Sequence, residues 1–286
     1  MKNKLFYIVI ILFIGCAEDD DNNFHNSYKF KGTNHTLDIV SWNIENFPKN
    51  DVTINEIIPI IDSLNVDIIA LQEIESTQDF NNMVNQLGGN WIGYKAENSS
   101  YGVLSYLINT TLITINSAPS TILSQFNYDF TYRPPYVLQF EFNNTAYTLI
   151  NVHFKCCDGG EERRANASAH LENYIKNNLS NNNVIVVGDF NDELVDENNV
   201  FDVFLNKSQD YLFSDIHIAQ NNQKSYWSFP SYPSHIDHIL ITDELFNQED
   251  TTCTLLLDQW FFDNANDYFF YVSDHRPMAI SLNIDP

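Results

Sequence analysis

Two apolar runs near the start of the chain, Leu37–Asn43 and Val66–Gln72, have the continuity of strands buried on both faces. Between them Ile54, Ile57, Ile58, Ile61 and Leu64 recur at helical spacing, and Thr53 with Glu56 has the form of a capping box. Pro59 falls inside this stretch, where its ring and missing N–H predict a kink. The chain is therefore expected to open as β-α-β. Tyr136–Phe142 and Ala146–Val152 flank Asn143-Asn144-Thr145, a hairpin signal. Glu161 to Leu179 reads as a helix that turns Ala165, Ala169 and Ile175 to the core. Val184–Asp189 is a short, fully buried strand, and Ile236–Thr242 and Met278–Leu282 complete the set. Long strand runs with few helices between them predict an α/β fold with mixed sheets, not a doubly wound parallel sheet. One domain is expected, over residues 34–286, with no internal repeat.

The N-terminus stands outside that pattern. Lys2 and Lys4 precede the apolar run Leu5 to Ile14, which is too short to span a bilayer in the usual way, and Gly15-Cys16 follows. This resembles a bacterial lipoprotein signal over residues 1–16, ending at a lipidated Cys16, with Phe13 where the pattern usually has Leu. The alternative is an ordinary secretory signal with an incidental cysteine. Residues 17–33 begin with an acidic run and read as a flexible tether, similar to surface-export signals of some Gram-negative lipoproteins. The expected location is extracytoplasmic and membrane-anchored. Three further cysteines remain, Cys156, Cys157 and Cys253, with no CxxC pair to frame a zinc site. An oxidising compartment allows a vicinal Cys156–Cys157 disulfide or a pairing of either with Cys253; three free thiols are the other reading.

Composition narrows the function. The 286 residues are 44% hydrophobic and 14% aromatic, so the chain can bury a substantial core. It carries 38 Asp+Glu against 14 Lys+Arg, a net charge of −24, which disfavours a protein that holds DNA by a basic surface. After the N-terminus no long uninterrupted apolar run exists, which excludes a polytopic membrane protein.

The polar groups at strand ends carry the chemistry. The first strand ends at Asn43 with Glu45 beyond, the second at Gln72-Glu73, the hairpin at His153, and the buried strand at Asp189 with Asn191. Near the C-terminus come Ser234-His235-Ile236-Asp237-His238 and Ser273-Asp274-His275-Arg276-Pro277. Any one of these is an unremarkable turn or cap residue. Several carboxylates brought together repel unless a cation neutralises them, and hard oxygen donors favour Mg²⁺, Mn²⁺ or Ca²⁺ over zinc.

The ordered set WNIEN, LQE, NVH, GDFND, IDHI and SDHRP, from Trp42 to Pro277, resembles the endonuclease/exonuclease/phosphatase superfamily. The resemblance implies a four-layer α/β sandwich, two mixed β-sheets face to face with helices outside, and a site at one end. It implies that Glu73 is the principal metal carboxylate, with Asn43 and Asp274 helping to hold Mg²⁺ or Mn²⁺, or Ca²⁺. Asp189 and Asn191 match the pair that positions the water and the scissile phosphate. His275 matches the histidine at the phosphate, Asp237 its orienting carboxylate, and His153 the histidine of the pancreatic-type branch. Glu45 falls at a position that varies between branches. That branch supports its first histidine with a Glu before a central strand. Here the region reads Tyr101-Gly102-Val103-Leu104, and Glu97 is the nearest carboxylate.

Arg133, leading into a strand, is a candidate phosphate clamp, and Lys155 a second. Arg163 and Arg164 read as a solvated helix face. Tyr226-Trp227 read as core packing rather than a base-stacking platform. His235 and His238 flank Asp237 without enough ligands for zinc. Ser273 lacks a nucleophile elbow and reads as a turn residue. The resemblance thus implies metal-dependent phosphodiester hydrolysis by direct water attack, most simply by an extracytoplasmic nuclease acting as a monomer with no protein partner. The competing enzyme reading is a phosphatase or sphingomyelinase-like enzyme for small or lipid phosphates, favoured by the acidity. A binding protein on an inactive scaffold is disfavoured because every core site residue is present.

Overall fold

A computed structural model describes residues 30–284 apart from 98 and 100; the lipoprotein-type segment and most of the tether lie outside them. Among the described residues thirteen strands follow in chain order: β1 (Thr36–Phe47), β2 (Ile68–Ile74), β3 (Trp91–Lys95), β4 (Val103–Asn109), β5 (Ile113–Ile115), β6 (Ser120–Thr121), β7 (Tyr136–Phe142), β8 (Thr145–His153), β9 (Asn183–Asp189), β10 (Tyr211–Phe213), β11 (Asp237–Thr242), β12 (Glu249–Thr254) and β13 (Met278–Asn283). The longer helices are α1 (Thr53–Leu64), α2 (Thr77–Leu87) and α3 (Glu161–Asn178).

One sheet has the order β12-β13-β1-β2-β4-β3; the other runs β10-β11-β9-β8-β7-β5, with β6 paired to β7. The pairs β1/β2 and β8/β9 are parallel and the remainder antiparallel, so both sheets are mixed, as the strand pattern predicts. β1 and β2 face β8 and β9 across the interior. Ile39, Leu71, Leu149 and Val187 join α1 and α2 in one core, and α3 covers the outer face of β8 and β9 through Ala167, Leu171 and Ile175. The four-layer sandwich implied by the sequence is present. No helix among the described residues is long and apolar enough to cross a membrane.

Several local expectations change. Thr53 and Glu56 do not form a capping box: the cap position is Val52, and the Thr53 hydroxyl donates instead to the Tyr271 carbonyl, tying α1 to the C-terminal helix Ala265–Tyr271. The helix assignment continues through Pro59, which lies on the solvent side, while Ile60 is buried and Ile58 only half-buried. The hairpin turn is the two-residue Asn143-Asn144, both with positive φ (48° and 61°), and Thr145 already pairs with Phe142. That is the primed turn that matches strand twist. In α3 the buried face is Arg164, Ala167, Ser168, Leu171, Glu172 and Ile175, so Ala165 and Ala169 are exposed. Leu171 and Ile175 set the face, because a methyl group drives burial too weakly to set it.

Candidate active site

The layout of the sheets brings the motifs together. In each parallel pair both strands end at the same edge of the sandwich, and β11, antiparallel to β9, starts where β9 ends. His153 and Asp237 are therefore both in register with Asp189. Gly188 permits this, since an added Cβ would lie 2.0 Å from the Val152 carbonyl oxygen. Beneath the site the two sheets are pinned together. Gln72 Nε2 donates to Asn151 Oδ1 (2.8 Å), and Asn151 Nδ2 donates to the Leu71 and Ser105 carbonyls. These buried amides flank Glu73 and His153 in sequence and fix the distance between them. No periodicity in the sequence marks them.

At the strand ends the backbone turns left-handed at Glu45 (φ 38°), Asn46 (50°), Glu73 (65°) and Asn191 (56°), conformations non-glycine residues adopt mainly under constraint. Asn46 N–H donates to Glu73 Oε2 (2.9 Å), Asn191 N–H donates to Asp189 Oδ1 (3.0 Å), and Asp274 N–H donates to Glu45 Oε2 (2.8 Å). Asn43 Nδ2 donates to both Glu73 Oε1 (3.1 Å) and Asp189 Oδ2 (3.0 Å), while its Oδ1 accepts from Glu45 N–H. Asn43 thus presents N–H groups to the two carboxylates and holds them at a fixed separation. Lys49 closes the wall by pairing with Glu45.

His275 Nδ1 lies 2.7 Å from Asp237 Oδ2, and its Nε2 lies 3.9 Å from carboxylate oxygens of both Asp189 and Asp274. Burial alone would depress the imidazole, but the Asp237 charge and hydrogen bond, with Asp189 and Asp274, push its pKa up to about 10. The imidazolium is therefore the resting form at neutral pH. Burial and the nearby Asp237 push Asp189 up to about 7, and burial and Glu45 push Asp274 up to about 6. Asp237 Oδ1 is buried with no hydrogen-bond partner among the described residues. His153 Nε2 is 3.4 Å from Asp189 Oδ2, but its Nδ1 has no partner among the described residues, in agreement with the missing support noted near Val103. Burial, Arg133 and His275 hold His153 well below the usual imidazole pKa, so it is neutral. Ser273 Oγ donates to the Asn43 carbonyl and accepts from His275 N–H, the turn role expected of it.

These groups open into one cavity of about 1060 Å³, lined by Glu45, Glu73, His153, Asp189, Asn191, Asp274 and His275. Arg133 and Lys155 line it too. Arg133 is buried, donates from Nη2 to the Phe154 carbonyl (2.9 Å) and lies 5.4 Å from the Tyr101 ring. Lys155 Nζ is tied to the Cys156 carbonyl (2.8 Å). Arg164 corrects the solvated-face expectation. It is buried, its Nε donates to Asp192 Oδ2 (2.7 Å), and Nη1 donates to the carbonyls of Lys155 and Cys157. Arg163 reaches back to the Tyr128 carbonyl and sits 4.2 Å over its ring. Trp227 is buried in the core as expected, whereas Phe229 packs its ring 4.8 Å from His275.

His235 and His238 form a separate buried cluster with Asp215, which sequence reading missed. Asp215 Oδ2 is 3.0 Å from His235 Nε2 and 2.6 Å from His238 Nδ1, and its Oδ1 accepts Ile239 N–H. His238 Nε2 reaches the Asp192 carbonyl, and His235 Nδ1 accepts Ser228 N–H. Every ring nitrogen and carboxylate oxygen of the cluster already has a protein partner, so it fastens β11 and the Asp192 loop rather than presenting free ligands. Ser228 continues this support, its Oγ accepting Asp237 N–H (3.1 Å). The three cysteines are free thiols, and burial pushes Cys253 up to about 12.

Comparison with known proteins agrees with this geometry. The family model described as Endonuclease/Exonuclease/phosphatase family matches residues 40–275. No curated protein matches. Among solved structures, D. rerio TDP2 complexed with a single strand DNA product is similar at a TM-score of 0.68 and 15% identity, covering 87% of this chain and 99% of that one. The human Nocturnin catalytic domain with bound sulfate anion gives 0.65 at 16% identity, covering 89% and 95%. An endonuclease/exonuclease/phosphatase protein of Bacteroides vulgatus gives 0.64 at 14%, covering 86% and 98%. The chain belongs to the endonuclease/exonuclease/phosphatase family of metal-dependent phosphoester hydrolases.

Proposed function

We propose that the protein hydrolyses phosphodiester bonds of nucleic acid by direct attack of water, outside the cytoplasm, with Mg²⁺ or Mn²⁺. The observation that carries this reading is the His275–Asp237 pair facing Asp189 beside Glu73 in a single cavity. The donor set fits a hard divalent ion. Glu45, Glu73, Asp189 and Asp274 line one cavity, and the raised pKa of Asp274 is that of a carboxylate that a cation would relieve. Glu73 and Asp274 would hold the ion, with Asn43 fixing the separation of Glu73 from Asp189; Ca²⁺ suits the same donors. When bound, such an ion supplies Lewis-acid stabilisation of the charge that builds on the phosphate oxygens.

The chain's own residues account for the proton movements. Asp189, titrating near neutrality and oriented by Asn191 N–H, accepts a proton from the attacking water. His153, neutral and 3.4 Å away, is placed to share it. The His275 imidazolium donates to a phosphate oxygen while Asp237 fixes its tautomer. Arg133 brings positive charge to the substrate phosphates, and Lys155 lines the same cavity with its ammonium held by the Cys156 carbonyl. Tyr101, Tyr132, Phe229 and Tyr232 line the same cavity, and all but Phe229 are exposed, which suits stacking on unpaired bases. The net charge of −24 favours short or single-stranded chains over long duplexes. The single strand DNA product held by D. rerio TDP2 supports the same choice. Lipidation of Cys16 would place this activity at a membrane surface.

The test is turnover of a panel of single-stranded DNA, duplex DNA, RNA, sphingomyelin and inositol phosphates, with Mg²⁺ or Mn²⁺ and with excess chelator. Nucleic acid should be cleaved only with metal, and Glu73→Gln should lower activity strongly. Full activity in chelator would refute the metal requirement. Exclusive turnover of the lipid or inositol substrates would replace the nuclease reading with the phosphatase-like one.

A further inference from the structure

Beside the catalytic carboxylates, the cavity is lined by an adjacent pair of thiols that hydrolysis does not use. Cys156 and Cys157 both face it, Cys156 half-buried and Cys157 exposed, with their Sγ atoms 2.8 Å apart. The backbone around them holds two of the cavity's cations. Lys155 Nζ is 2.8 Å from the Cys156 carbonyl oxygen and 3.5 Å from Cys156 Sγ. Arg164 Nη1 donates to the Lys155 carbonyl (2.7 Å) and the Cys157 carbonyl (3.2 Å). Cys157 already adopts a positive φ of 69°, and Gly160 N–H closes the turn onto its carbonyl.

We propose that Cys156 and Cys157 are a modification site for small-molecule disulfides, oxidised to a vicinal disulfide that frees Lys155 for the substrate phosphate. A thiolate of the pair attacks the small-molecule disulfide, forms a mixed disulfide and expels one thiol; the second cysteine then displaces the other. One S–S bond forms in the protein and one breaks in the oxidant. The two electrons and two protons lost by the cysteines leave on two small thiols. The eight-membered ring contains the peptide group that joins the two residues. Neighbouring Cα atoms sit about 3.8 Å apart, below the ~4.4–6.8 Å span of ordinary disulfides, so closure must twist that peptide. Its oxygen is the Cys156 carbonyl that holds Lys155 Nζ. Lys155 then loses its acceptor, and its ammonium is left to pair with a phosphate at the cavity mouth. A bridge under such strain, at an exposed position, is also readily reduced again.

The effect on the substrate rests on the phosphodiesterase reading; the disulfide itself does not. The intact chain is treated with oxidised glutathione, then analysed by intact mass, peptide mapping and steady-state kinetics on a short single-stranded substrate. The expected result is loss of two hydrogens, mapped to Cys156–Cys157, and a KM lowered by about tenfold, the change for gaining one charge-assisted contact. Dithiothreitol restores the original KM. The double variant Cys156→Ser/Cys157→Ser keeps the reduced enzyme's KM and ignores the oxidant, and Lys155→Met oxidises normally with no change in KM. A stable glutathione adduct on Cys157, unchanged mass, or a KM that does not move with oxidation overturns the proposal. So does a KM shift that survives in Lys155→Met. An enzyme inactive in both redox states would refute the proposed function, while mass and mapping still decide the disulfide.

Discussion

Replacing Asp237 by Asn removes a charge from a buried pair and changes little else. The His275 Nδ1–Asp237 Oδ2 distance is 2.7 Å, and Asp237 N–H remains bonded to Ser228 Oγ, so the fold should persist. With the carboxylate gone, burial is opposed only by Asp189 and Asp274, and the His275 pKa falls from about 10. A return to the unperturbed value of about 6.5 leaves roughly 3% of the imidazolium at pH 8, a ~30-fold loss of the proton donor. Loss of charge stabilisation in the transition state adds to this, so kcat should fall by roughly 10²–10⁴-fold. At pH 6 most of the imidazolium returns, and the defect should shrink by about the same ~30-fold. The assay is kcat against pH for wild type and variant, with far-UV circular dichroism as the fold control.

The double variant sharpens the test. If Asp237 acts through His275, Asp237→Asn/His275→Ala should be hardly slower than His275→Ala alone, because residues acting as a unit are not additive. A defect equal at pH 6 and pH 8, or losses that multiply, would refute the orienting role. Either result would point to Asp237 Oδ1, buried and without a partner, as a ligand for the ion instead.

Other outcomes follow from the same structure. Arg133→Ala should raise KM by about tenfold, more than it lowers kcat, and should also cost stability because the Phe154 carbonyl loses the shorter of two side-chain hydrogen bonds, keeping only that from Asn191 Nδ2 (3.3 Å); unchanged KM would leave Arg133 a purely structural role. Asp67, away from the site, is pushed up to about 7 by burial, its backbone hydrogen bond opposing this and the Asp38 charge adding to it. Its protonated form is favoured in the folded state, so this contribution to stability is complete below about pH 4 and lost as pH rises through 7, by at most ~4 kcal/mol. Asp67→Asn should flatten that slope in chemical denaturation, and an unchanged slope would clear Asp67. Cys16→Ser should release the protein from the membrane fraction; unchanged fractionation would refute the lipoprotein reading.

What the sequence disclosed and what it hid divide by the range of the interaction. A strand that ends in a polar group is a local event, so Asn43, Glu73, His153 and Asp189 stood out before any fold was known. Which groups steady them depends on topology. Gln72 and Asn151 are 79 positions apart and meet only because the two sheets stack, and Asp215 reaches His238 across 23. Arg164 looked solvated because Arg usually is. It is buried because the Asp192 loop and the carbonyls of residues 155 and 157 converge on one side of α3. Alanines carry too little burial energy to announce a face, so Ala165 and Ala169 misled where Leu171 and Ile175 decided.

The same distinction explains why the two histidines differ. His275 gains its partner from β11, whose first residue must lie beside the last residue of β9 once the strands are antiparallel neighbours. Its support is therefore built into the sheet and is independent of loop sequence. His153 would need its partner from the segment before β4, where Gly102 occupies the turn and its N–H donates to Glu75 instead. Its Nδ1 has no partner among the described residues, and only the 3.4 Å approach of Nε2 to Asp189 Oδ2 bears on which nitrogen carries the proton. A neutral ring held only weakly at Nε2 suits a relay between Asp189 and water better than a committed acid. His153→Ala should accordingly lower kcat by roughly 10²-fold, the lower end of the range for a positioned proton-transfer group, and His275→Ala by more. Steady-state kcat on one substrate ranks them, and an equal or larger loss for His153→Ala would show that the unsupported ring is the principal acid–base group.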